Sequence, residues 1–457
     1  MTPKPICIIG AGPAGLAMAR ACVVRGLAYH QYDANTDVGG LWDIEQDGSP
    51  MYESAHFISS KTQSGFDGLP MPEDFPDYPS HSQILTYIRA FADLWGLRKN
   101  INFKTRVTDI EKLSQGGWRI TLHTGETREY TALVCATGAN WHPRMPEFEG
   151  MFDGELRHSS TYRSPKEIEG TRELLVGAGN SGVDIACDAA QRAKAAFMSV
   201  RRGYHFIPKH LWGKPSDVVT STGPRLPLWL NRIVFGAVLK MYVGDVTRLG
   251  LPKPDHKLLE THPILNTQVL HYLQHGDLLA KADVARLDGK EVVFKDGTSE
   301  EIDLVRCATG YNQVQPYARS YFRYEGGRPN LYMQLFSREH ENLFAPSFVE
   351  TNSGAFKLFD VMGFAIAHYV QDQINGHARA EKMAAMIKTD HPDLTGGIKF
   401  VASDRHSSYF DSHAWQSHMK RLFKQIGWTL PTDEPSVMSP SPMRSEFPVD
   451  PLPVAAE

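Results

Sequence analysis

The sequence predicts an α/β fold made of two dinucleotide-binding, Rossmann-like units, the second inserted into the first. Three observations point there. A short apolar strand runs into a glycine-rich loop and a helix twice, once from Ile6 and again from Leu174. Each copy is followed by a hairpin signature and a strand ending in Cys-Ala-Thr-Gly, at residues 135–138 and 307–310. Beyond the second of these turns, the chain reads as a return to the first unit. The expected boundaries are 1–160 for the first part of the first unit, 161–305 for the inserted unit and 306–430 for the second part. A Pro/Ser-rich tail, read as poorly ordered or wrapping, takes 431–457.

The run Ile6–Ile9 suits a strand buried on both faces of a parallel sheet. Gly10, Gly12 and Gly15 follow, with Pro13 and Ala14 between them, and an Ala-rich helix extends to about Arg25. Glycines in that context let the backbone approach a pyrophosphate at the positive end of the helix. The next strand, Ala28 to Tyr32, ends in Asp33, an acid placed to hold a ribose hydroxyl pair. In the second copy Leu174–Val176 leads to Gly177, Gly179, Asn180, Ser181 and Gly182, then a helix, then the strand Ala196–Val200. That strand ends in Arg201 and Arg202 instead of an acid. Paired guanidinium groups suit a 2′-phosphate. The first loop is therefore expected to bind FAD and the second NADPH. Thr137 and Gly138, and Thr309 and Gly310, close strands where ligands sit in such sheets.

Between these landmarks, Tyr52 to Ser82 is a long loop rich in Pro, Ser and Asp, followed by an amphipathic helix expected to be capped by Ser82 and closed by Gly96. A net charge of −4 leaves no basic excess for a phosphate backbone, so nucleic acid is not an expected partner. The five cysteines form no C-x-x-C pair, which excludes a dithiol centre and a zinc ribbon and fits a cytoplasmic setting. No metal ligands and no leader are read, since Met1 to Pro5 runs straight into the first strand. The stretch Leu226–Val243 is broken by Pro227, Asn231, Arg232 and Lys240, too polar to span a bilayer. It reads as a lid or core helix, or as one lying against a membrane surface or a partner. A homodimer is left open.

The connector between the two loops carries Phe152, Gly154, His158, Tyr162 and Arg163. This F-x-G-x-x-x-H-x-x-x-Y-R spacing resembles the fingerprint of the flavin-containing monooxygenases, and Gly39-Gly40-Leu41-Trp42 resembles the same family's second flavin contact. The resemblance covers Pro5 to about Gly427. It implies that NADPH reduces FAD, that oxygen adds to form a flavin C4a-hydroperoxide, and that a soft sulfur or nitrogen nucleophile of a small molecule is oxygenated. It also implies flavin contacts at Gly40, Leu41, Trp42 and Val107, and a coenzyme contact at Tyr162. Tyr162-Arg163 stands where Baeyer-Villiger enzymes usually carry Trp followed by Pro or Asp; a 2-oxo acid substrate is a further alternative. One departure stands out. The family pattern Y-x-S-x-x-x-N-x-x-K lays onto Tyr52, Ser54 and Lys61, and its Asn falls on Ile58, which donates no hydrogen bond. Ser59, Ser60 and Lys61 are the candidate substitutes, and no catalytic residue is assigned. An uncoupled NADPH oxidase and a redox-sensing binding protein are the competing expectations.

Overall fold

Two parallel sheets carry the two glycine loops in a computed structural model that describes residues 4–223, 226–325, 327–401 and 409–439. The first sheet orders its strands as Leu331–Tyr332, Phe336–Ser337, Leu343–Phe344, Ala132–Cys135, Ile6–Ile9, Tyr29–Tyr32 and Ile101–Asn102. Pairing is parallel from Leu343–Phe344 onward and antiparallel before it. The second sheet runs Leu279–Lys281, Ala195–Ser199, Arg172–Val176, Leu304–Cys307 and Glu155–His158, parallel throughout.

The repeat expected from the sequence is visible in register. Ile9 lies opposite Cys135, and Val176 opposite Cys307, so each glycine loop leaves its sheet beside a Cys-Ala-Thr-Gly turn. Each sheet is accompanied by an antiparallel meander, Val107–Lys112 with Trp118–Leu122 and Thr127–Tyr130, and Val284–Gly289 with Glu291–Phe294 and Ser299–Glu301. The connector contributes strands to the second unit. Glu149–Phe152 pairs with Val284–Gly289, and Glu155–His158 forms the edge beside Leu304–Cys307, ahead of the expected boundary at 160. Where the chain enters and leaves that unit, its two passages are joined. The Arg144 amide donates to Gly310, the Asn312 amide donates to His142, and Pro143 bridges Tyr311 antiparallel.

The helix Pro13–Arg25 packs on Phe356–Ile374, most of whose residues are buried, consistent with an apolar pattern all round it. Gly363 permits the contact, since a Cβ there would lie 2.9 Å from the Ala17 carbonyl oxygen. Arg20 and Asp360 pair within this interface, both fully buried.

Two expectations are corrected. The helix after the long loop, His81–Leu94, is capped by Ser80, not Ser82, because Gln83 stands three residues beyond Ser80 and completes a reciprocal capping box. Of the tail, Pro431–Asp433 and Pro435–Met438 are helical turns, and Val437 is fully buried. Residues 440–457 of that tail lie outside the described residues. Finally, the apolar stretch forms the helix Leu228–Val243 but not a core helix, since Leu239 is its one buried residue. Among the described residues no helix is long and apolar enough to cross a membrane, and no cluster of three or more His, Cys, Asp or Glu could hold a metal ion.

Candidate functional site

At the first loop the backbone is shaped by contacts that no side chain would tolerate. Gly10 has φ +111°, and a Cβ on it would lie 2.4 Å from the Ala136 carbonyl oxygen; one on Gly15 would lie 2.0 Å from the Gly10 carbonyl oxygen. Gly12 caps the helix without a side chain, and the first turn, beginning Pro13-Ala14, carries no acid. Its amides therefore remain free for an anion. Asp33 is buried at the end of Tyr29–Tyr32, where its carboxylate accepts the Ala11 amide at 2.5 Å and the Asn35 amide at 2.7 Å. Burial pushes its carboxyl above the usual range, against the pull of those two amides. Val107 is buried at the start of its strand, just beyond Thr105, whose amide donates to the Asp33 carbonyl. Thr137 places its hydroxyl 3.3 Å from that of Tyr317, and Gly138 turns with φ +84° against Trp141. An uncapped helix start, a buried carboxylate and a backbone with no room for Cβ together fit a dinucleotide.

The second loop repeats the device. A Cβ on Gly177 (φ +109°) would lie 2.7 Å from the Ala308 carbonyl oxygen, and one on Gly182 would lie 2.1 Å from the Gly177 carbonyl oxygen. Gly179 caps the helix Asn180–Arg192, again with no side-chain bond. Ser181 is exposed, whereas Asn180 is occupied: its amide group donates to the Pro263 carbonyl and its oxygen accepts the Leu265 amide. Arg201 is exposed with no partner, while Arg202 is paired to Asp255 at 2.7 Å. Thr309 donates to the Arg144 carbonyl, and the Gly310 carbonyl faces His158 Nε2 at 3.0 Å.

Across the first loop lies the Gly39-Gly40-Leu41-Trp42 turn. The Gly39 amide donates to the Ala11 carbonyl, and a Cβ on Gly40 would lie 3.0 Å from the Gly12 Cα. Leu41 accepts the Ser49 hydroxyl, and Trp42 meets Phe57 edge-on at 5.0 Å between centroids. The neighbouring Ile58 is half-buried. Its three candidate substitutes are placed differently. Lys61 donates its ammonium to the Glu73 and Phe75 carbonyls, and the Ser59 hydroxyl accepts that of Ser64. Ser60 is different: its amide binds Asp217 and its hydroxyl is buried with no partner.

The connector residues act as a clamp. His158 accepts the Ser160 amide at Nδ1, which leaves Nε2–H to donate to Gly310, and burial holds the ring below its ordinary pKa. Gly154 admits the Asp303 carbonyl, 2.6 Å from where its Cβ would be. Tyr162 is fully buried, donates to Asp188 at 2.9 Å and covers the Arg306 guanidinium at 4.7 Å. Arg163 donates to the carbonyls of Met51, Ser160 and Tyr162. Sequence reasoning missed the acids that receive this clamp. Asp184 accepts Tyr52 and Asn266, and Asp188 accepts Ser54 as well as Tyr162, so one helix of the second unit holds the loop of the first. Burial raises both carboxyls. Their signal was present: two carboxylates four residues apart among Val183, Ile185, Ala186, Cys187 and Ala189.

The model of the flavin-binding monooxygenase-like family matches residues 3–357. Flavin-containing monooxygenase 5 of Homo sapiens is 31% identical over 360 residues, spanning 74% of this chain and 67% of that protein. Dimethylaniline monooxygenase [N-oxide-forming] 2 of Rattus norvegicus is 33% identical over 358 residues, 73% of this chain and 66% of that protein. Among solved structures, a complex named OTEMO with FAD and NADP superposes with a TM-score of 0.68 at 19% identity, over 93% of this chain and 98% of that one. The S-allyl-L-cysteine S-oxygenase of Allium sativum gives 0.63 at 18%, over 94% and 90%; both show the shared fold. With two glycine loops joined by one clamp, this chain belongs to the flavin-binding monooxygenase-like family and is a flavoprotein monooxygenase that works with FAD and NADPH on small molecules.

Proposed function

We propose that the first unit is a discontinuous Rossmann-like FAD domain, that the inserted unit binds NADPH, and that the substrate is a soft sulfur or nitrogen nucleophile. The carrying observation is the pair of equivalent loops whose second strands end differently, in the buried Asp33 and in Arg201-Arg202. FAD would lie on Gly10, Gly12 and Ala14, with its ribose at Asp33 and its flavin end toward Gly40, Leu41 and Trp42. NADPH would lie on Gly177, Gly179 and Gly182, with its 2′-phosphate at Arg201 and Arg202. When bound, the flavin supplies hydride acceptance and oxygen chemistry. The protein's part is orientation and exclusion of water. Ser60, whose buried hydroxyl has no partner, and Ser59, whose hydroxyl accepts from Ser64 and keeps its own proton, are the donors available near Ile58. Tyr162 acts through Asp188 as a positioning residue. The second unit is taken to begin with the strand Glu149–Phe152 and to end at Cys307. Five unpaired, buried cysteines support a cytoplasmic setting.

The test is product identification with sulfides, amines and ketones, scored against NADPH consumed. Sulfoxide or N-oxide formation is expected, and lactone formation from ketones alone would overturn the substrate reading. A second reading, an NADPH oxidase releasing hydrogen peroxide, is favoured by one observation: Ile58 offers no donor and Lys61 already gives its ammonium to two carbonyls. Peroxide equal to NADPH with every substrate would establish it.

A further inference from the structure

The helix Gln268–His275 carries two histidines that take no part in either glycine loop. His271 and His275 are both exposed, and their rings meet at 3.9 Å between centroids, tilted by 50°. Residues four apart in a helix share a face, so the H-x-x-x-H spacing itself brings the two imidazoles together. Among the described residues neither ring has a hydrogen-bond partner, and the neighbouring Tyr272 hydroxyl accepts from Gln268 at 3.2 Å instead. Imidazole nitrogens bound to one first-row ion stand about 2.0–2.1 Å from it, which sets two of them on the order of 3 Å apart. Rings already at 3.9 Å reach that spacing by side-chain rotation, with the helix unchanged.

The surroundings suit a cation. From Leu258 to Ala280 the chain has no Lys or Arg and carries Glu260 and Asp277. His275 is the last helical residue, just before Gly276 closes the helix at φ +82°, and the negative end of a helix favours positive charge. Paired imidazoles without an oxygen ligand suit copper, nickel and zinc over magnesium or calcium, and copper binds tightest in that series. Two protein ligands are fewer than the four of a structural zinc site, so water completes the shell and the ion exchanges. We propose that His271 and His275 form a bidentate site for an exchangeable divalent transition-metal ion, copper(II) ahead of nickel(II) and zinc(II). Both ligands lie on one turn, so the ion holds that turn helical. The inner face of the same helix sets Val269, Leu270 and Leu273 against Val183 and Ala186 of Asn180–Arg192, and Asn266 at its start donates to Asp184 at 2.6 Å. An ion on the outer face therefore stiffens a support of the second glycine loop.

Untagged holoenzyme is to be titrated with Cu(II), Ni(II), Zn(II) and Mg(II) by calorimetry, and the copper complex followed by electron paramagnetic resonance. A saturable copper site with two nitrogen donors is expected. The chain has 19 histidines, so the assignment rests on variants. His271→Ala and His275→Ala should each weaken copper binding at least about tenfold, because the second imidazole is delivered by the same helix. Each should also remove one nitrogen from the spectrum, with flavin content and NADPH oxidation unchanged. His275→Gln serves the same purpose if an alanine variant fails to fold. Amide exchange over residues 272–276 should slow with Ni(II) in wild type and in neither variant. Copper affinity that ignores both substitutions, a single nitrogen donor in wild type, Mg(II) binding as tight as Cu(II), or exchange that no ion slows would each overturn the proposal.

Discussion

Arg201 and Arg202 should contribute unequally to coenzyme choice. A hydrogen bond to a charged group contributes about 1.5–3 kcal/mol, and about 1.4 kcal/mol is tenfold in kcat/KM. Arg201→Ala is therefore expected to lower kcat/KM for NADPH by about 10- to 100-fold, through KM, because the phosphate contact is alike in ground and transition states. Arg202 is paired with Asp255 at 2.7 Å, and Asp255 is more than half exposed. Such a pair contributes up to about 1 kcal/mol, which Arg202 gives up on turning to a phosphate. Arg202→Ala should thus cost about fivefold less than Arg201→Ala, and Asp255→Ala should raise NADPH affinity a few-fold. The assay is steady-state oxidation of NADPH and NADH in parallel, with NADH nearly unaffected. Equal losses with both coenzymes, or a larger loss for Arg202→Ala, would refute the reasoning.

Three further outcomes are expected. Gly12→Val should strip the flavin, because the valine methyl groups extend beyond a Cβ that already lies 3.5 Å from the Gly40 Cα; full yellow colour in the purified variant would reassign the loop. Ile58→Asn should lower hydrogen peroxide released per NADPH by restoring a donor worth about 1–3 kcal/mol in a dry site, and Ser60→Ala should raise it; peroxide yields that ignore both changes would remove this loop from oxygen control. His368 stacks on Trp428, faces the Thr429 carbonyl at 3.0 Å and titrates at about 4, lowered by burial and then by Arg25. The unfolded chain takes up that proton first as pH falls below about 6.5, so stability is full above that pH and on the order of 3 kcal/mol is lost by pH 4. Denaturant midpoints should show this slope in wild type and a shallower one in His368→Gln; identical slopes would exclude the residue.

The strand, glycine loop and helix of each unit were legible because each is local: apolar runs, glycines and helix starts lie within twenty-odd residues. A return of the chain to the first unit was expected beyond the second Cys-Ala-Thr-Gly turn, but not the strand Leu343–Phe344 that pairs with Leu133 and Val134. What sequence alone could not show is what a polar group spends its bonds on. Tyr162 gives its hydroxyl to Asp188 and its ring to Arg306, and Asn180 has both ends of its amide taken by the Pro263–Leu265 backbone. Lys61 likewise gives its charge to two distant carbonyls. The misplaced cap has a local cause, two serines two residues apart, with only the position of Gln83 to separate them. The connector was read as a link from its place between the two glycine loops. Its strands draw their pairing from Leu304–Cys307 and Val284–Gly289, far away in sequence.

The two passages into and out of the second unit, stitched from His142 to Arg144 against Gly310 to Asn312, behave as a single ribbon. A ribbon of two bonded strands resists sliding and stretching, so the entry and exit of this segment keep one register with each other. Away from that ribbon, Tyr52 and Ser54 join Asp184 and Asp188 through neutral hydroxyls. Contacts of that kind part without separating opposite charges, unlike the backbone pairing of the ribbon, which two amides and a bridge must give up together.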